Sequence, residues 1–142
     1  MTPTTGAVLP EGRVGAVATT LDTGHVLVTG GSSSDVKEGL SGGVVYYVLA
    51  QNPYGNVSPT NNTLDHGRTY HTATRLLAED PSDPNADPDP AKVLITGGYD
   101  ENGDPRDTAE LYDPATNTFT PLAGTMTTPR AGPCAVLLRS GN

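Results

Sequence analysis

Arg68 is followed three positions later by His71, and matching arginines stand at Arg13 and Arg130. A guanidinium beside an imidazole could bind an anion or move a proton. Arginines repeated at equivalent places, however, are read as forks that hydrogen-bond neighbouring carbonyls and carboxylates and hold elements together. His25 falls in a turn and His66 lies two before Arg68. No His, Cys and carboxylate grouping has ligand spacing, and no Gly-x-Ser-x-Gly nucleophile context occurs. The sequence therefore assigns no catalytic residue, no cofactor, no cofactor-binding residue and no metal ligand.

Two acidic stretches test the calcium alternative. "EDPSDPNADPDP", 79–90, packs five carboxylates among four prolines with no cation, so it reads as an extended, solvated surface loop. Hard cations favour clustered carboxylates, but this spacing fits no calcium-loop template. Asp100, Asn102 and Asp104 alternate like the start of such a loop, yet the sixth place lacks glycine and the twelfth is Leu111. A turn is expected there. Cys134, alone in the chain, excludes an internal disulfide framework, and its apolar neighbours predict a small buried hydrophobe. Asn56 and Asn61 open two Asn-x-Ser/Thr acceptor triplets, which matter only in a secreted, glycosylated context.

Charge and composition remove whole classes of partner. Sixteen acidic against eight basic residues leave a formal charge of -8, which repels a phosphate backbone, so no nucleic acid is expected. With two lysines, Lys37 and Lys92, there is no polybasic patch, and no apolar run approaches the ~20 residues of a bilayer span. A soluble chain with no membrane partner is expected. The start "MTPTTGAVLPEGR" lacks the basic and apolar segments of a secretory signal. Seventeen glycines and thirteen prolines in 142 residues interrupt the chain too often for long helices, leaving turn-rich β structure.

What positions these residues is a repeat. "HVLVTGG", 25–31, returns as "KVLITGG", 92–98, and once 79–90 is set aside the segments from Arg13 and from Arg68 align without a further gap. Arg130 opens a third copy. Each copy reads as four strands: a β-prone run such as "GAVATTL", the run ending in the glycine pair, a third such as "VVYYVLA", and a last short one. Since "VLV" and "VLI" are apolar without alternation, both sheet faces should be covered by other sheets. The pairs Gly30-Gly31 and Gly97-Gly98 suit positive φ or close backbone approach where a strand ends near a crowded centre. They lack the following helix of a phosphate loop.

Apolar residues, a double glycine and two aromatics seven apart, Tyr47 with Tyr54 and Tyr112 with Phe119, together resemble the Kelch repeat. Glu110 before Tyr112 and the "YDP" turn strengthen the resemblance in the second copy, and the spacing from Arg13 to Arg68 to Arg130 is near the family's ~50 residues. The resemblance implies an all-β chain: two four-stranded antiparallel blades plus partial blades of a Kelch-like β-propeller. Residues 1–12 are then the tail of a preceding blade, 13–67 the first blade, 68–129 the second with insertion 79–90, and 130–142 the first strand of a third. Rings need ~4 to 8 blades, so further blades, of the same chain or of other copies, are implied as partners. The implied function is a non-catalytic binding or scaffold module for protein or glycan, extracellular or at the cell surface. The alternatives are the propeller part of a secreted copper carbohydrate oxidase, whose Tyr and His ligands this chain does not assemble, and a self-assembling structural subunit.

Overall fold

The computed structural model describes residues 9–33, 39–49, 52–77 and 90–138, with the backbone alone for 46–49 and 52–54. The described residues contain eight strands and no helix: β1 Val17–Thr20, β2 Val26–Thr29, β3 Gly43–Leu49, β4 Asn52–Pro59, β5 Thr72–Arg75, β6 Val93–Thr96, β7 Thr108–Asp113 and β8 Thr118–Thr125. They make two antiparallel sheets, ordered β1-β2-β3-β4 and β5-β6-β7-β8, so the chain is all-β with two four-stranded blades. Within each sheet every strand pairs with its neighbour in sequence. Between β7 and β8, Asp113 Oδ1 accepts from the amide of Ala115 and Asn117 takes φ 57°, the chemistry of a tight turn.

The two sheets meet face to face. Leu27 and Val45 of the first blade, Val93, Ile95, Tyr112 and Phe119 of the second, and Leu64 between them form one buried cluster. Along β2 the burial alternates, with Leu27 and Thr29 inward and Val26 and Val28 half-buried; along β6, Val93 and Ile95 are buried and Leu94 and Thr96 half-buried. The unbroken apolar runs thus bury one face completely and the other in part. At ~25 cal/mol per Å² of apolar surface removed from water, this shared cluster holds the blades together.

Strand register corrects one sequence assignment. Val26 pairs with Tyr46 as Val93 pairs with Tyr112, and Tyr46 pairs with Val57 as Tyr112 pairs with Phe119. Tyr46 and Val57, not Tyr47 and Tyr54, therefore stand where the second blade has Tyr112 and Phe119. The seven-residue spacing of Tyr47 and Tyr54 is a coincidence of a longer β3–β4 hairpin, which carries a register shift between Tyr47 and Leu49. The side chains of Tyr47 and Tyr54 lie outside the described residues.

Two further expectations meet the structure near the carboxyl end. Residues 130–138 form no strand, because no described strand lies beside them to complete a ladder; Val136 and Leu138 are exposed. Cys134 is exposed rather than buried, for the same reason. Residues 139–142, residues 1–8 of the expected preceding tail, and the acidic insertion apart from Pro90 lie outside the described residues.

Candidate functional site

Arg13 and Arg68 each open a blade and tie it to its own strands. Arg68 Nη1 donates to the carbonyls of Gly97 and Thr108, both at 3.1 Å, and Nη2 donates to Thr108 Oγ1 at 2.8 Å. Its Nη2 and Nε also donate to Glu110 Oε1, at 2.9 and 3.3 Å, in a pair whose side chains are each 1% exposed. Arg13 repeats half of this: Nη1 donates to the carbonyls of Gly30 and Gly42 at 2.8 Å. In register, Val44 occupies the place of Glu110. Arg13 Nε is buried without a partner, and its nearest carboxylate, Glu11, reaches Nη2 instead. Burial pulls the Arg13 guanidinium below its ordinary pKa, with Glu11 opposing.

The backbone of the same arginines joins one blade to the next. Gly31 N donates to Arg68 O and Gly98 N to Arg130 O, both at 2.8 Å. A Cβ on Gly30 would collide with Arg68 O, and one on Gly97 would sit 2.6 Å from Arg130 O, at φ 57° and 67°. The glycine pair is therefore the seam against which the next blade's arginine carbonyl lies. Arg130 contributes its backbone to this seam, and it lines a cavity of about 730 Å³ together with Thr96, Met126 and Cys134.

The groups nominated from the sequence are taken up structurally, His71 by the same seam and Asp100 by its own turn. His71 is buried between the blades, with Nε2 2.8 Å from Thr29 Oγ1 and Nδ1 unpartnered. Burial and the Arg68 charge push its pKa down to about 4, so the ring is neutral. Asp100 closes the turn expected from its sequence: its carboxylate accepts from the amides of Asn102 and Asp104 and from Arg106. Burial alone would raise the Asp100 pKa, but those two amides and the Arg106 charge outweigh it and hold the carboxyl below its ordinary value. Among the described residues no three His, Cys, Asp or Glu side chains gather as metal ligands.

Among the described residues, one aromatic side chain faces outward. Tyr70 stands two after Arg68, as Gly15 stands two after Arg13 and Gly132 two after Arg130. Tyr70 N donates to Gly15 O at 2.9 Å and Gly132 N to Tyr70 O at 2.8 Å, a ladder running from repeat to repeat where the inner strands, β1 and β5, which meet between the blades, begin. All three residues have positive φ, 70°, 52° and 63°, an ordinary conformation for glycine and a strained one for tyrosine. The Tyr70 ring is 51% exposed, and it meets Tyr99 edge-to-face with centroids 6.5 Å apart at 84°. Neither tyrosine was singled out by residue type. The signal was the column of the repeat in which a tyrosine replaces glycine.

Residues 92–126, which span β6 to β8, match the family model of the Kelch motif. The second blade thus carries that motif, and the resemblance read from the sequence stands. No curated protein matches the chain. Among 103 solved chains with matching folds is a fungal alcohol oxidase of the AA5 family, solved in complex with copper; it is 21% identical at a TM-score of 0.59. The match covers 83% of this chain but only 23% of the oxidase.

Proposed function

We infer that this chain is a segment of a Kelch-like propeller that acts as a non-catalytic binding or scaffold module, with further blades, of the same chain or of other copies, against its half-buried outer faces. The ligand is a protein or a glycan met at the end where the inner strands begin, outside the cell or on its surface. One observation carries the reading: Tyr70 keeps a half-exposed ring on a backbone conformation that the other two copies give to glycine. Strain retained at an exposed side chain points to use of that side chain. Of the ionisable groups that suggested chemistry, Arg68 and His71 are engaged within and between the blades, and Asp100 closes its own turn.

Screening the full chain against peptide and glycan arrays tests this, with Tyr70→Gly as the control. Saturable binding that the substitution removes supports the reading, and binding indifferent to it counts against it.

The oxidase among the matching folds favours a second reading, the propeller part of an oxidase. The residues present do not fit copper: His71 Nε2 is engaged by Thr29, and no ligand cluster gathers among the described residues. A copper(II) titration of the full chain separates the two readings. Tight one-to-one binding with a tyrosinate absorption band would favour the oxidase.

A further inference from the structure

We propose that the corner between Tyr70 and Tyr99 docks a cationic side chain, a lysine or arginine presented by a partner protein; this rests on reading the inner-strand end of the blades as a binding surface. The corner is built on fixed backbone, with the Tyr70 ring half-exposed. Tyr70 is pinned on one side, since a Cβ on Gly15 would meet its ring carbons at 3.1 Å. On the other it meets Tyr99, whose backbone is fixed by bridges to Thr69 and Pro105. In this edge-to-face pair one ring's edge lies against part of the other's face, and the face area left beside it carries the negative end of the ring quadrupole, which attracts ammonium and guanidinium groups.

The charges around the corner agree with such a ligand. The turn that Pro105 closes beside Tyr99 carries Glu101 and Asp104, both exposed. Asp100 in the same turn is taken by Arg106. Of the described cations at this end, Arg13, Arg68 and Arg106 are engaged with carbonyls or carboxylates, which leaves the exposed Arg130. The whole chain at -8 draws a basic partner toward it and repels an acidic one. A neutral sugar could stack on one ring and donate hydroxyls to the carboxylates, but it gains no charge attraction from them.

The test titrates the full chain with a six-residue lysine peptide, acetyl-lysine amide and its trimethyl-lysine counterpart, using cellopentaose as the neutral probe and NMR of the tyrosine rings as the readout. Expected are saturable shifts of the Tyr70 and Tyr99 resonances with the cationic probes, weakening as salt is raised. Affinity should fall at least about tenfold in Tyr70→Gly and a few-fold in Glu101→Gln with Asp104→Asn. Tyr70→Gly should keep its melting temperature, because the other copies place glycine there; Tyr99→Leu is the second variant should it not fold. Lysine-peptide binding that persists undiminished in both variants puts the cation elsewhere and overturns the proposal. If cellopentaose moves the rings and the cations do not, the proposal falls and the binding surface stands. If no probe moves them, both fall.

Discussion

Arg13 and Arg68 make the same fork in the two blades, Arg68 on the buried carboxylate of Glu110 and Arg13 on the exposed one of Glu11, and this difference has energetic consequences. Glu110 accepts from Arg68 Nε and Nη2 and, through its second oxygen, from the amide of Asp65. Removing one partner of a buried ion pair strands the other and costs about 3 to 5 kcal/mol. Arg68→Ala should therefore lower the urea midpoint substantially, and Glu110→Ala, which strands the guanidinium, by a comparable amount. Arg13→Ala should cost less, since its Nε is already unpartnered and Val44 replaces the acid. Equilibrium urea unfolding of the three variants checks the order, and an Arg13→Ala loss as large as that of Arg68→Ala would show that the carbonyl contacts, not the carboxylate, carry the stability.

Elements are held together by more than the sheet-to-sheet core, and one such device lies in the connection between the blades. Asn62 Nδ2 donates to the carbonyl of Phe119 and its Oδ1 accepts the amide of Phe119, so a side chain pairs with β8 as a strand would. Asn61 adds its amide to Asn117 O and its Nδ2 to Thr116 O. Asn62→Ala should cost about 1 to 3 kcal/mol, by leaving a part-buried backbone pair unmet, and should speed hydrogen exchange of the Phe119 amide. Unchanged exchange there would mean that the clasp contributes nothing. The glycine seam gives a sharper contrast. Gly30→Ala places a methyl into Arg68 O at φ 57°, while Gly24→Ala, at φ 78° with open space around it, meets only the backbone strain. The first should lower the melting temperature well beyond the second; equal losses would mean that the blades do not pack against this glycine. Much of this was legible beforehand. The strands, the glycine pairs and the arginines recur at spacings that backbone pairing enforces. Tyr46 was missed because hairpin length is free to vary where only the turn is affected, which broke the spacing used to find it. The Asn61 and Asn62 clasp was hidden because side-chain pairing to a distant strand leaves no periodic trace. Cys134 was misread because an apolar neighbourhood in sequence buries a residue only when another element covers it.

At the scale of the molecule, the blades share one titratable group that senses whether they are together. His71 lies between the glycine pairs of both blades: a Cβ on Gly30 would sit 2.8 Å from its ring, and one on Gly98 would sit 2.9 Å from its Cβ. Facing it are Thr29, which bonds its Nε2, and the Arg68 charge, which disfavours a second positive charge beside it. The folded pKa is lowered from 6.5 to about 4, so the unfolded chain takes up the proton first as acid is added. Stability from this group is therefore complete above about pH 6.5 and drains away as pH falls toward 4, by about 3 kcal/mol in all. The depressed carboxyl of Asp100 acts in the same direction at lower pH, since its stabilisation is lost as the pH drops through its folded pKa. Neutralising carboxylates on a chain at -8 acts the other way by relieving repulsion, so the wild-type profile alone is ambiguous. The difference from His71→Gln is not: the variant keeps a hydrogen-bonding group for Thr29 but has nothing to titrate. Urea midpoints measured from pH 7 to pH 4 should fall more steeply for the wild type than for His71→Gln, with the gap opening below about pH 6.5. Parallel profiles would mean that the imidazole protonates as freely in the folded chain as in the unfolded one, and that the blades do not close over it.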